Sequence, residues 1–134
     1  MLETPPGSPG ALSRYTFWNG VVYLLVGATM YLVPGLVRML LFMAPFAGHE
    51  EGYMRLMGVA VAIIGWFYVF GARTGAASFG LATVADRVAV PILLLPLYFA
   101  GQVEAGLVVA FSTLDPVLGI GAYLVWRRQR AALS

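Results

Sequence analysis

Long uncharged apolar runs, separated by arginines, prolines and short polar turns, set the pattern of this chain. A helix rises 1.5 Å per residue, so about 20 apolar residues cross a ~30 Å hydrocarbon core. Tyr15 to Pro34 meets that length without a charge, and Ala105 to Trp126 meets it with one interruption at Asp115. Leu56 to Ala72 is uncharged and bracketed by Arg55 and Arg73, whose long side chains can reach the two interfaces as interfacial charges. The uncharged run Val88 to Val103 would reach only about 24 Å. Either it dips into the membrane and returns, or its helix starts earlier, near Ser78, and takes Asp86 and Arg87 inside. Phe79 to Ala85 is apolar or small, which favours the earlier start.

The pattern predicts an all-α membrane protein: a four-transmembrane-helix bundle with a short apolar segment on the outer face between helices 1 and 2. That segment, Leu36 to Phe46, is interrupted by Arg38 and closed by Pro45. It is too short to cross and lacks the polar face of a surface-lying helix, so it is expected to tuck against the bundle. Domain organisation reads as a cytoplasmic tail over 1–14, a transmembrane domain over 15–128 and a cytoplasmic tail over 129–134. The proline-rich start has no basic residue before Arg14, and the first apolar run is too long for a cleaved signal, so it reads as a retained span.

Composition agrees with the pattern. Apolar residues make up 60% of the chain and charged residues 10%, with mean hydropathy +0.85; soluble domains carry about 25% charge. All the basic residues are arginine. Arg14, Arg73, Arg127, Arg128 and Arg130 fall on the N-terminal side, against Arg38 and Arg55 on the other. The positive-inside rule then puts both termini in the cytoplasm, for a multi-pass protein of the cytoplasmic (inner) membrane. The arginines form no continuous stripe, so nucleic acid is not an expected partner.

Two charges fall deep in the spans. Asp115 sits mid-span and is followed by Pro116, which removes a backbone donor and frees a carbonyl. An isolated carboxylate there costs about 2.5–3.5 kcal/mol on insertion scales. Counted from the turn around Gly101 to Glu104, Arg87 lies about 15 residues back and Asp115 about 12 forward, within about 5 Å of one depth. Arg87 and Asp115 are therefore expected to form a buried ion pair. Asp86, about 100° away on the helix, is not expected on that face. The pair either staples two helices or binds the polar head of a lipophilic molecule, with Trp66, Tyr68, Thr83, Ser112 and Thr113 as candidate pocket lining.

Much chemistry is missing. There is no cysteine, hence no thiolate nucleophile, disulfide or thiolate metal site. His49-Glu50-Glu51 lacks the second histidine of a zincin, because position 53 is tyrosine. With Glu104 these residues could hold a divalent cation, but a solvated loop is the favoured reading. Neither a phosphate loop nor a nucleophile elbow occurs. No metal, cofactor or catalytic residue is expected.

The stretch Arg55-Leu-Met-Gly58, Gly65-Trp-Phe-Tyr68, Ala72-Arg73, Phe79, Thr83, Arg87, Pro91 and Asp115 resembles a widespread group of small bacterial four-span proteins, and looks most like the BphX-like type. The likeness covers roughly residues 15–128. It implies a four-helix membrane bundle and supplies no activity or catalytic residues.

Four function classes follow. An accessory or assembly subunit of a larger membrane complex is favoured, on the missing chemistry and the small-residue helix faces. Binding or transport of a small lipophilic molecule (a quinone, isoprenoid or aromatic) near Arg87 and Asp115 is the alternative. A membrane enzyme and a channel rank below these. Gly20, Gly27, Gly58, Gly65, Gly106, Gly119 and Gly121 are expected to serve helix packing within the chain, with oligomerisation the minority reading.

Overall fold

The computed structural model describes residues 10–134; residues 1–9 of the expected N-terminal tail lie outside the described residues. Five helices follow in order: α1 (Ala11–Leu32), α2 (Pro34–Leu40), α3 (Glu50–Ala72), α4 (Ala77–Phe99) and α5 (Ala105–Leu133). α3, α4 and α5 are each long and apolar enough to cross a membrane. α1 qualifies only together with α2, from which it is bent by 109°. The chain is thus all-helical with three or four candidate membrane spans, the make-up of a multi-pass membrane protein.

α1 ends where proline dictates. Pro34 has no N–H with which to continue the helical ladder, and it disfavours helical geometry at Val33 before it. Proline suits a first helical turn, however, and Pro34 opens α2. α2 packs against α1 and α3, and Val37, Met43 and Phe46 rest on the core around Met30 and Met54. The apolar segment after α1 thus folds back on the other helices. α4 starts at Ala77, so Asp86 and Arg87 lie well inside a long helix, as the earlier start requires. The chain reverses after α4 at Gly101, whose φ of +70° accompanies the Gln102 N–H donating to the Leu97 carbonyl at 2.9 Å, a glycine-terminated helix end.

α1 lies antiparallel to α3 along a seam of glycines. A Cβ placed on Gly20 would sit 2.7 Å from the Gly65 carbonyl oxygen, and one on Gly58 would sit 2.7 Å from that of Gly27. Gly27 itself would meet the Gly58 oxygen and the Ala62 nitrogen at 2.5 Å. The obstructing atoms are backbone, so no side chain can swing away. Bare backbones meet here at both ends of the shared seven-residue spacing, which keeps residues on one helix face over two turns. α5 packs on α4 and α1. The Leu12 N–H donates to Gln129 Oε1 at 3.1 Å and ties the start of α1 to the end of α5.

Polarity is inverted relative to a water-soluble domain. Ser13, Thr16 and Asn19 of α1 are buried, Thr16 completely, whereas Trp18 and Leu25 on the same helix are each 64% exposed. Leu56, Phe67, Ile92, Leu93 and Val109 are likewise exposed. Apolar side chains on the outside and polar ones within are the arrangement that lipid, not water, stabilises.

Candidate functional site

The buried polar residues of four helices meet midway along the bundle. Arg87 on α4 is 1% exposed and Asp115 on α5 is 5% exposed. Gly119, one turn beyond Asp115, leaves room for the arginine: a Cβ there would stand 3.3 Å from that of Arg87. The depth matching of α4 and α5 therefore holds.

Both residues also border one cavity, yet they do not touch. Among the described residues the only ion pair is Arg55 with Glu51, at 2.8 Å, so the expected Arg87–Asp115 ion pair is not made. Arg87 Nη1 donates instead to the Leu118 carbonyl at 3.1 Å. With the Asn19 amide oxygen turned toward the guanidinium, Asn19 accepts from Nη1 at 3.1 Å and Nη2 at 3.2 Å. The guanidinium also lies 4.8 Å from the centre of the Tyr68 ring and 5.8 Å from that of Tyr23, within cation–π range of both. The two rings meet edge to face, 5.4 Å apart.

Each tyrosine hydroxyl then donates a hydrogen bond to a carboxylate. Tyr23 donates to Asp115, and Tyr68 donates to Asp86 at 2.5 Å. Asp86 thus joins the site that helix geometry kept it from sharing with Arg87. The reason is that the site is a space between α3 and α4 rather than a single contact, and side chains about 100° apart on α4 can flank it. A single interhelical hydrogen bond in a membrane contributes about 0.6–2 kcal/mol, whereas a charge with no partner costs about 2.5–3.5 kcal/mol. The network matters chiefly because it leaves no charge alone.

Beside this network lies a cavity of about 270 Å³, lined by Tyr23, Tyr68, Asp86, Arg87 and Asp115 and by the apolar Met57, Val61, Ile64, Val90, Leu93, Leu94 and Phe111. Its wall is almost entirely carbon. α3 and α4 touch little, and Ile64 and Leu93 at the cavity are exposed, so it opens sideways onto the outer surface of the helices. Three buried polar atoms have no partner among the described residues: Arg87 Nε, Thr16 Oγ1 and Ser112 Oγ.

Of the candidate lining residues, only Tyr68 borders this cavity. Thr83 is buried, its hydroxyl bonded to the Gly80 carbonyl at 2.7 Å. Ser112 is half-buried and Thr113 faces outward. Trp66 is 55% exposed and belongs to a separate groove over α1 and α3. Arg55, toward the start of α3, also donates to the Tyr31 carbonyl, and Arg73 caps the far end of that helix over Phe70 at 5.3 Å. Sequence reasoning missed Asn19 and Tyr23. The signal was present: Ser13, Thr16, Asn19 and Tyr23 recur every three or four residues, a polar stripe along one face of an otherwise apolar helix.

The acidic loop gathers no metal-binding group of three or more among the described residues. Glu50 accepts from the Ala47 N–H and Glu104 from that of Ala44. No family model, curated protein or solved structure matches the chain.

Proposed function

We propose that this chain is a four-span protein of the cytoplasmic membrane, with both termini in the cytoplasm, that binds a small lipophilic molecule in the cavity between α3 and α4. The carrying observation is that cavity: apolar walls around one cluster of polar groups, as in ligand pockets generally. Its 270 Å³ lies at the low end for such sites. That size suits a single ring or a short apolar body, with any longer tail left in the bilayer through the α3–α4 opening. The topology rests on the arginine bias and on counting α1 with its bent continuation α2 as one span; the resemblance to BphX-like proteins belongs to the same proposal.

The accessory-subunit reading is the weaker one. It drew on the missing chemistry, the small-residue helix faces and the compact size, and of the small residues Gly20, Gly27, Gly58 and Gly65 are engaged by backbone within the chain.

Native mass spectrometry of the protein taken gently from its own membranes tests the choice. The expected result is a small-molecule adduct that Val90→Phe, which fills the cavity without touching a charge, removes. A stoichiometric second polypeptide with no adduct would overturn the binding reading in favour of an accessory subunit.

A further inference from the structure

The two ends of the molecule hold their charges differently. At the end where α3 begins and α4 turns into α5, the charged groups are taken up within the chain. Arg55 pairs with Glu51 at 2.8 Å, and Arg38 donates to the Met43 carbonyl at 3.4 Å. Glu50 and Glu104 accept from the backbone N–H groups of Ala47 and Ala44.

The opposite end gathers the start of α1, the end of α3, the start of α4 and the end of α5. The Leu12 N–H donates to Gln129, Leu12 clusters with Ala77, and the Phe79 ring lies against Gly71. Arg14, Arg73, Arg127, Arg128 and Arg130 stand here, all exposed. Among the described residues none of them has an ion pair or a side-chain hydrogen bond, and no aspartate or glutamate lies at this end. Their positive charges therefore have no counter-charge among the described residues.

Two of these side chains are nevertheless restrained. Arg73 lies over the Phe70 ring at 5.3 Å and Arg130 over the Trp126 ring at 5.2 Å, while their N–H groups have no oxygen partner. Trp126 and Tyr15 in turn pack on the Leu12 cluster. Aromatic side chains at the ends of membrane spans sit at headgroup level, which sets the depth of the arginines next to them in sequence. A guanidinium at that depth meets phosphate oxygens, which its planar fork of donors matches. A zwitterionic headgroup brings its own cation and leaves the excess positive charge uncompensated, whereas an anionic headgroup neutralises it.

We propose that this arginine end binds the phosphate of anionic phospholipid headgroups and selects them over zwitterionic ones. The site is separate from the α3–α4 cavity, and neither depends on the other.

The test places the full chain in phosphatidylcholine vesicles with a trace of spin-labelled phosphatidylglycerol or spin-labelled phosphatidylcholine of the same acyl chains. The motionally restricted part of the electron spin resonance spectrum reports each lipid's relative affinity for the protein surface. Phosphatidylglycerol is expected to be preferred about fivefold, the scale of one arginine engaged at an anionic surface. The preference should fall toward unity in a variant carrying Arg14→Gln, Arg73→Gln, Arg127→Gln, Arg128→Gln and Arg130→Gln. It should survive Arg38→Gln with Arg55→Gln at the opposite end. In wild-type protein it should also fall toward unity between about 0.1 M and about 1 M sodium chloride, as the screening length drops from about 10 Å to about 3 Å. The salt series needs no variant, so it decides the matter even where the multiple substitution does not fold.

Equal affinity for the two lipids, a preference unchanged at high salt, one that survives the arginine substitutions, or one lost with Arg38 and Arg55 would overturn the assignment. Loss of the preference in inorganic phosphate, but not in chloride of the same ionic strength, would overturn the lipid as occupant and give the arginines to free phosphate.

Discussion

α3 meets α1 through bare backbone and meets α4 across a cavity. On one side Gly58 and Gly65 admit the α1 backbone so closely that a single added methyl would overlap backbone atoms. On the other, Met57, Val61 and Ile64 line open space, and Tyr68 reaches across to α4 through its hydrogen bond to Asp86. Lipid tails are as apolar as leucine, so helices in a membrane gain little by hiding leucine; they associate through close packing and polar contacts. The α1–α3 seam uses the first device and the Asn19, Tyr23, Tyr68, Arg87, Asp115 network uses the second. Between the two backbones of the seam there is no room for a ligand, and the groove of about 540 Å³ that runs over it has no charged side chain in its lining. The network holds α4 at a distance, and the gap it props open is the place where a molecule could sit.

Substitutions break this contrast in graded ways, each read as unfolding free energy in mixed micelles. Arg87→Ala should cost most, about 3–5 kcal/mol, the usual loss when one partner of a buried charged network is removed; a loss under 1 kcal/mol would mean that Asn19 and the Leu118 carbonyl do not depend on the guanidinium. Gly27→Ala should follow at about 1–3 kcal/mol, because its methyl would overlap the Gly58 carbonyl oxygen and the Ala62 nitrogen and Cβ, none of which can swing away. Full tolerance there would show that the two backbones are not in contact. Tyr23→Phe should cost about 1–2 kcal/mol by depriving buried Asp115 of its donor. Tyr68→Phe should cost less than about 1 kcal/mol, since Asp86 borders the open cavity, where a water can supply another donor. Thr113→Ala, outside both regions, should stay within about 0.5 kcal/mol of wild type. A reversal of the two tyrosines would invert the assignment of which carboxylate is the more dependent.

The seam and the cavity were unequally legible in the chain. Spans are a matter of length and polarity, so α3, α4 and α5 could be read directly, and the need for about 20 residues already pulled α4 back toward Ser78, one residue from its start at Ala77. Counting from the turn at Gly101 also put Arg87 and Asp115 at one depth. The partner each side chain takes was not legible, because it depends on which groups neighbouring helices bring within reach. Asp115 consequently turned out bonded to Tyr23 and Arg87 to Asn19 and Leu118, while Trp66 and Thr113, at suitable depths, face elsewhere. The glycine spacing of seven was visible on both α1 and α3, but only their antiparallel docking explains why both helices need it.

The most direct test of the central claim is methyl NMR of the protein in bicelles during titration with para-octylphenol. The account predicts saturable shifts at the cavity methyls of Val61, Ile64, Val90, Leu93 and Leu94, with Val59 and Ile63 in the groove over α1 and α3 unmoved. Shifts spread evenly over both sets, or absent from the cavity set, would contradict it and leave the polar network a purely structural staple.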